Sequence, residues 1–321
     1  MYQALHHEKY GYYQQKKEKI GTGGDFITSP EISQLFGEMV GIWCLATWES
    51  MGKPTAINLV EMGPGNGTLM KDVLHIVKNF PTFQAALQVS LVEVSPAMRQ
   101  LQREALECID SKDSSDVSSQ EPDLPLHNEW SEQTEAACMQ GTTPGGISIS
   151  WYNYLKHVPP GPSLYVGHEI LDAFPVHQFS KTAEGGRWRE TMVDVDFSEE
   201  TPFHFRFVKT PTITPALRIF FNKTFTGISD RPLSSPAEVT EKGELDAKED
   251  GREKGENTNK EKKGDTALDT KNLEGLELCP LAFSTVEEIA QNVVKHKGAA
   301  LLIDYGEHFP QVRGEGVSIR F

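Results

Sequence analysis

Residues 59–74 read LVEMGPGNGTLMKDVL: an apolar run, three glycines around a proline and an asparagine, then an amphipathic segment. The apolar run, Ala56 to Val60, has strand length and ends in Glu61. Gly63, Gly65 and Gly67 follow at G-x-G-x-G spacing, where a backbone can turn sharply and approach a ligand closely. The pattern recurs downstream. The run Val89 to Val92 ends in Glu93, and Ser95-Pro96 opens a helix carrying Met98, Leu101 and Ala105. Upstream, Ser29 as N-cap and Pro30 at the first helical position open a helix predicted over 29–50. Its predicted apolar face is Ile32, Leu35, Phe36, Met39, Trp43 and Ala46. Strand, turn and helix in repetition predict an α/β fold with a parallel, doubly wound sheet.

In such a sheet ligands bind beyond the C-terminal strand ends, at the topological switch point, and the glycine loop lies there. Its spacing is not the G-x-G-x-x-G of dinucleotide sites, and the loop offers no Lys or Arg to a pyrophosphate. Carboxylates stand at successive strand ends instead: Glu61, Glu93, Glu169 and Asp304. Glu93 is placed to accept hydrogen bonds from a ribose diol. A ligand with a ribose, an amino-acid part and a positive sulfur suits this set, which describes S-adenosyl-L-methionine. A dinucleotide, or a glycine turn that serves packing alone, are the alternatives the residues leave open.

The net charge of -15 argues against nonspecific nucleic-acid binding, which needs clustered cations, and 38% hydrophobic residues suffice for a core. Cys44, Cys108, Cys138 and Cys279 show neither CxxC pairing nor metal-like spacing, so reduced thiols and no metal are expected. No apolar run approaches the roughly 20 residues that span a bilayer, so no membrane insertion is expected. The opening MYQALHHEKYGYYQQ reads as neither a signal nor a transit peptide. Residues 110–146, rich in Ser, Asp, Gln, Gly and Pro, read as a surface excursion. Strands are predicted at 147–151 and 164–167, and a hairpin at 188–197 and 203–208. Residues 231–274 alternate Glu and Lys with almost nothing apolar, which predicts a disordered insertion. Ser284 and Glu287 form a capping box for a helix with Val286, Ile289, Ala290, Val293 and Val294 on its apolar face. His296, Lys297 and Gly298 close it, and Ala299 to Ile303 follows as a buried strand ending in Asp304. The expected division is an N-terminal helical lid (1–50), a core (51–230) with the excursion 110–146 and a hairpin insert 180–210, the insertion 231–274, and a last helix–strand (275–321).

Five blocks together resemble a known family. They are GDFITSPEISQLFGEMVGIW (24–43), LVEMGPGNGTL (59–69), LVEVSPAMRQLQ (91–102), GHEILDAFPVHQF (167–179) and LLIDYG (301–306). In this order they resemble the MidA-type class I methyltransferases, mitochondrial protein-arginine methyltransferases that assist assembly of respiratory complex I. The resemblance implies a Rossmann-like class I S-adenosyl-L-methionine-dependent methyltransferase fold of seven strands. It also implies S-adenosyl-L-methionine as donor, an arginine in a complex I subunit as acceptor, and a mitochondrial matrix location. Two departures stand out. Asn66 sits where the family commonly has Arg or another residue, and the family continues well past residue 321, so a C-terminally shortened chain of weakened activity is expected.

On this reading the cofactor is held by Glu61, Gly63, Gly65, Gly67 and Glu93, with Phe26 and Thr28 in a segment that lids it. Ser29-Pro30-Glu31 reads equally as a plain helix start. Glu169 and Asp172, after the fourth strand, are candidates for orienting the guanidinium, with Asp172 as a turn cap the alternative. His168 and His177 are candidate bases or structural histidines. A non-catalytic assembly chaperone and an NAD-type oxidoreductase are the rival functions.

Overall fold

The computed structural model describes residues 1–7, 9–14, 20–21, 24–109, 137–182, 186–198, 203–224, 273–305 and 317–320. The sequence-predicted insertion therefore lies almost wholly outside the described residues, as do residues 110–136 of the excursion. The chain divides into two compact units, Met1–Val176 with Cys279–Pro310, and His177–Leu278 with Gln311–Phe321.

The strands are β1 (Ile57–Met62), β2 (Leu87–Val92), β3 (Met139–Thr142), β4 (Ser148–Tyr152), β5 (Ser163–His168), β6 (His177–Lys181), β7 (Trp188–Val195), β8 (Phe205–Lys209), β9 (Leu273–Leu278), β10 (Ala299–Ile303) and β11 (Val317–Arg320). The helices are α1 (Tyr2–His6), α2 (Ser29–Ile32), α3 (Gln34–Ser50), α4 (Thr68–Val77), α5 (Pro81–Ala86), α6 (Pro96–Ala105), α7 (Pro215–Thr224) and α8 (Pro280–His296).

The first unit holds a sheet of order β10-β5-β1-β2-β4-β3. All neighbours run parallel except β3, which pairs antiparallel with β4. Chain order reverses between β1 and β5, so the switch point falls at the C-terminal end of β1. Alternate strand residues feed two cores. Leu59, Leu91, Trp151 and Leu164 pack with Val40, Cys44 and Val73 of α3 and α4, whereas Val60, Met62 and Tyr165 pack with Ile289 of α8. Burial on both faces is why these strands read as continuous apolar runs.

The helix expected over 29–50 is two helices, separated at Ser33, whose backbone is extended and whose Oγ accepts from Leu35 N at 3.3 Å. Thr28, not Ser29, is the N-cap residue of α2. The face of α3 differs as well. Gly37, Val40, Gly41, Cys44 and Trp48 are buried, while Leu35 and Met39 are 62% and 57% exposed, as is Ile32 of α2 at 73%. Close approach of α4 decides this, because a Cβ on Gly37 would lie 2.4 Å from Cβ of Asp72 and one on Gly41 3.3 Å from Cβ of Ile76. A hydrophobicity pattern gives glycines no weight, so it catches only Phe36 and Trp43, which pack partly buried against the core, and misses the rest of the buried face. In α8 the N-cap is Cys279, whose Sγ accepts from Ala282 N at 3.4 Å. Ser284 lies inside the helix and donates to Leu281 O, Val286 and Val294 are exposed, and Lys297, at φ 59°, takes the left-handed closing position.

The second unit holds a sheet of order β11-β9-β6-β7-β8, antiparallel except for β11 against β9. Phe179, Leu217, Leu276 and Leu278 form its core. The predicted hairpin is β7 and β8, and it belongs to this larger sheet. Leu273 and Glu274, within the stretch predicted as disordered, begin β9, and residues 139–142 of the predicted excursion form β3.

Candidate functional site

The loop after β1 turns on three glycines in the left-handed region, Gly63, Gly65 and Gly67, with φ of 61°, 55° and 84°. Its two ends are tied down, since Gly63 N donates to Val92 O at the end of β2 and Gly67 N donates to Pro64 O. Side chains would be obstructed at all three positions. A Cβ would lie 2.4 Å from Cδ1 of Ile170 at Gly63, 2.9 Å from Cδ1 of Ile20 at Gly65, and 3.3 Å from Cα of Gln102 at Gly67. The loop is thus wedged between the N-terminal segment, helix α6 and the turn after β5.

Gln102 is completely buried and fixes the loop from below. Its Nε2 donates to Gly65 O at 2.8 Å and to Glu93 Oε2 at 3.1 Å, while its Oε1 accepts from Trp151 Nε1 at 2.9 Å. Glu93 follows β2 and also accepts from Ser95 N at 2.8 Å through Oε1. Burial raises its pKa, and the bonds from Ser95 and Gln102 partly offset this. Glu61 lies within β1, which continues to Met62. It is 3% exposed, its Oε2 has no hydrogen-bond partner, and desolvation pushes its carboxyl up to about 8.

The N-terminal segment grips the loop from above. Asn66 Nδ2 donates to Ile20 O at 2.9 Å and to Glu31 Oε1 at 3.3 Å, and Thr68 Oγ1 donates to the same Glu31 oxygen at 2.6 Å. Phe26 bridges Ile20 through the backbone and is 54% exposed. Thr28 stands one turn before Glu31, its carbonyl accepting from Glu31 N.

A second cluster sits at the ends of β5 and β10. Glu169 has a φ of 50°, unusual for a residue with a side chain, and its N–H donates to Ile303 O. Its Oε1 lies 3.3 Å from Nε2 of His168. Asp304 Oδ2 accepts from Leu171 N at 3.2 Å, and Tyr305 donates its hydroxyl to Asp172 Oδ2. That bond, with burial, pushes the Tyr305 phenol up to about 12. His168 packs on Phe36, and burial lowers its pKa against the pull of Glu169 and Asp304. Ile170, beneath Gly63, makes this cluster adjoin the glycine loop. His177 belongs to the second unit, where Nδ1 lies 2.6 Å from Glu190 Oε1.

The chain matches the family of S-adenosyl-L-methionine-dependent methyltransferases over residues 39–318. It belongs to that family. Among curated relatives, it is 34% identical to the mitochondrial protein arginine methyltransferase NDUFAF7 of Rattus norvegicus, over 95% of this chain and 55% of the relative. It is 32% identical to NDUFAF7 of Danio rerio, over 95% of this chain and 57% of the relative. This chain thus spans little more than half the length of these relatives. Among solved structures, a COG1565 superfamily member from Burkholderia thailandensis, crystallised with S-adenosyl-homocysteine, is similar with a TM-score of 0.53 and 20% identity. That likeness covers 95% of this chain and 57% of the other. The strand order supports the same class I methyltransferase fold.

The geometry brings Gly63, Gly65, Gly67 and Glu93 into one connected site, with Glu61 in the strand below. Phe26 and Thr28 flank the contacts made by Ile20 and Glu31. Glu169 and Asp172 form the adjoining cluster. Sequence reading missed Gln102, Ile170 and Tyr305. In α6 Gln102 is the buried residue, whereas Leu101 of the predicted apolar face is 45% exposed, because a hydrophobicity pattern gives a polar glutamine no weight.

Proposed function

We propose that this chain is the cofactor-binding part of an S-adenosyl-L-methionine-dependent protein-arginine N-methyltransferase, working in the mitochondrial matrix in assembly of respiratory complex I. The observation that supports it best is the left-handed glycine loop joined to Glu93, in a chain related to proteins named for arginine methylation. The residues fit the cofactor. A buried acceptor without a donor is costly, and the orphaned Oε2 of Glu61 would be answered by an ammonium or by water held under one. Gly63, Gly65 and Gly67 would let the backbone meet the ligand, and Glu93 would receive the ribose diol. Phe26 and Thr28 would cover it.

When bound, the cofactor supplies an electrophilic methyl on a sulfonium. Glu169 and Asp172 would hold the acceptor guanidinium by charge-assisted hydrogen bonds. They would also localise its lone pair and receive the proton that leaves the alkylated nitrogen. Tyr305 fixes Asp172 by donating to Oδ2, which leaves Oδ1 for the guanidinium. Much of the rate then comes from positioning.

The test is transfer of isotopically labelled methyl to an arginine-containing complex I subunit, read by acid hydrolysis and amino-acid analysis. Label on arginine with this chain and none with Gly65→Val supports the reading. Label on lysine, or label released as methanol from a carboxyl ester, would overturn it, and cofactor binding without any transfer would point to a chaperone.

A further inference from the structure

Gln102 spends every hydrogen-bonding atom of its amide on three different elements: both donors on Gly65 O and Glu93 Oε2, and its acceptor on Trp151 Nε1. It has no exposed surface, and its Cα lies 3.3 Å from where a Cβ on Gly67 would stand. A buried polar network with every member satisfied holds its groups in one arrangement. Of its three partners, Trp151 belongs to the core, whereas the other two are the turn of the glycine loop and the strand-end carboxylate. Gln102 therefore fixes the spacing between these two ligand-facing features. By holding Oε2 from α6 while Ser95 N holds Oε1, it sets the plane of the Glu93 carboxylate and leaves one further lone pair on each oxygen directed elsewhere.

We infer that Gln102 is a positioning residue for the ribose subsite. It aligns Glu93 with the glycine loop so that both hydroxyls of a ribose diol are read together, which makes the site selective for ribonucleosides. The inference rests on the cofactor reading above. Without Gln102 the carboxylate keeps the Ser95 N–H on Oε1 but loses the hold on Oε2, so its plane can turn about that bond and selectivity falls even where the ligand still binds.

The experiment is calorimetric titration of the whole chain with S-adenosylhomocysteine and with its 2′,3′-dideoxy analogue, for wild type and for Gln102→Met. Wild type should favour the ribo form by about 10–100-fold, the scale of lost hydrogen bonds to a charged group. In Gln102→Met this preference should shrink to within about threefold. A drop in melting temperature is compatible with that outcome, because stability alone does not alter a ratio of affinities. Equal weakening of both ligands, with the preference intact, would make Gln102 merely structural and overturn the inference. Should Gln102→Met not fold, Gln102→Asn keeps a polar amide in the network but is one methylene too short to span all three partners, and the same loss of preference is expected. Wild type that binds both analogues equally would overturn the ribose role of Glu93 and this inference together. Wild type that binds neither would overturn the cofactor reading itself.

Discussion

At Gly65 the backbone is left-handed and a Cβ would meet Cδ1 of Ile20 at 2.9 Å, so Gly65→Val strains the turn and fills the cradle at once. The expected result is a folded chain whose S-adenosylhomocysteine affinity falls below detection, as measured by calorimetry beside a melting curve. Glu93→Ala should weaken binding by roughly 1–3 kcal/mol, the cost of losing a charged acceptor. A change in melting temperature alone would leave Glu93 structural. Glu61 carries a sign that can be worked out. Its carboxyl protonates near 8 in the folded chain against 4.5 ordinarily, so between those values the folded state binds more protons than the unfolded one. Stability contributed by Glu61 is therefore lost as pH rises from about 4.5 to 8. Glu61→Gln should raise the stability at pH 8 by an amount on the order of a few kcal/mol, at about 1.4 kcal/mol per pH unit, read as a higher melting temperature there and little change at pH 5. If Glu61 also serves the cofactor, the same substitution weakens binding. An unchanged pH profile of melting would remove the buried-acid account. The loop and its carboxylates were legible in the sequence because strand ends and glycine spacing are local features. Gln102, Ile170 and Tyr305 were not, because they meet the loop or Asp172 only after distant segments fold together.

Helix α3 shows what an element's pattern can and cannot say. Its existence followed from the periodicity, but its buried face only in part, through Phe36 and Trp43, because the contact with α4 is made through Gly37 and Gly41. Gly37→Ala should destabilise the chain by about 1–3 kcal/mol, the cost of overpacking, since Cβ of Asp72 stands 2.4 Å away and cannot swing aside. Leu35→Ser with Met39→Ser, on the exposed face, should shift the melting temperature by no more than about a degree. Reversal of these two outcomes would restore the face read from hydrophobicity. The breaks were equally hidden, because Ser33 caps through Oγ and Cys279 through Sγ, while Ser29 and Ser284 nearby carry the same capping signal in the sequence.

For the whole molecule, the parallel sheet and its switch point were legible because strands buried on both faces announce themselves as apolar runs. The second unit was legible only as a hairpin. Two of its other strands, His177–Lys181 and Leu273–Leu278, lie far apart in the chain and pair antiparallel, so no local pattern joins them. The central claim is that the glycine loop holds S-adenosyl-L-methionine with Glu93 at its ribose, and a single calorimetric titration tests it directly. Purified chain should bind S-adenosylhomocysteine at one saturable site, with no binding by folded Gly65→Val and no response to NADH. Equal affinity in wild type and Gly65→Val, or binding of NADH in place of S-adenosylhomocysteine, would contradict it.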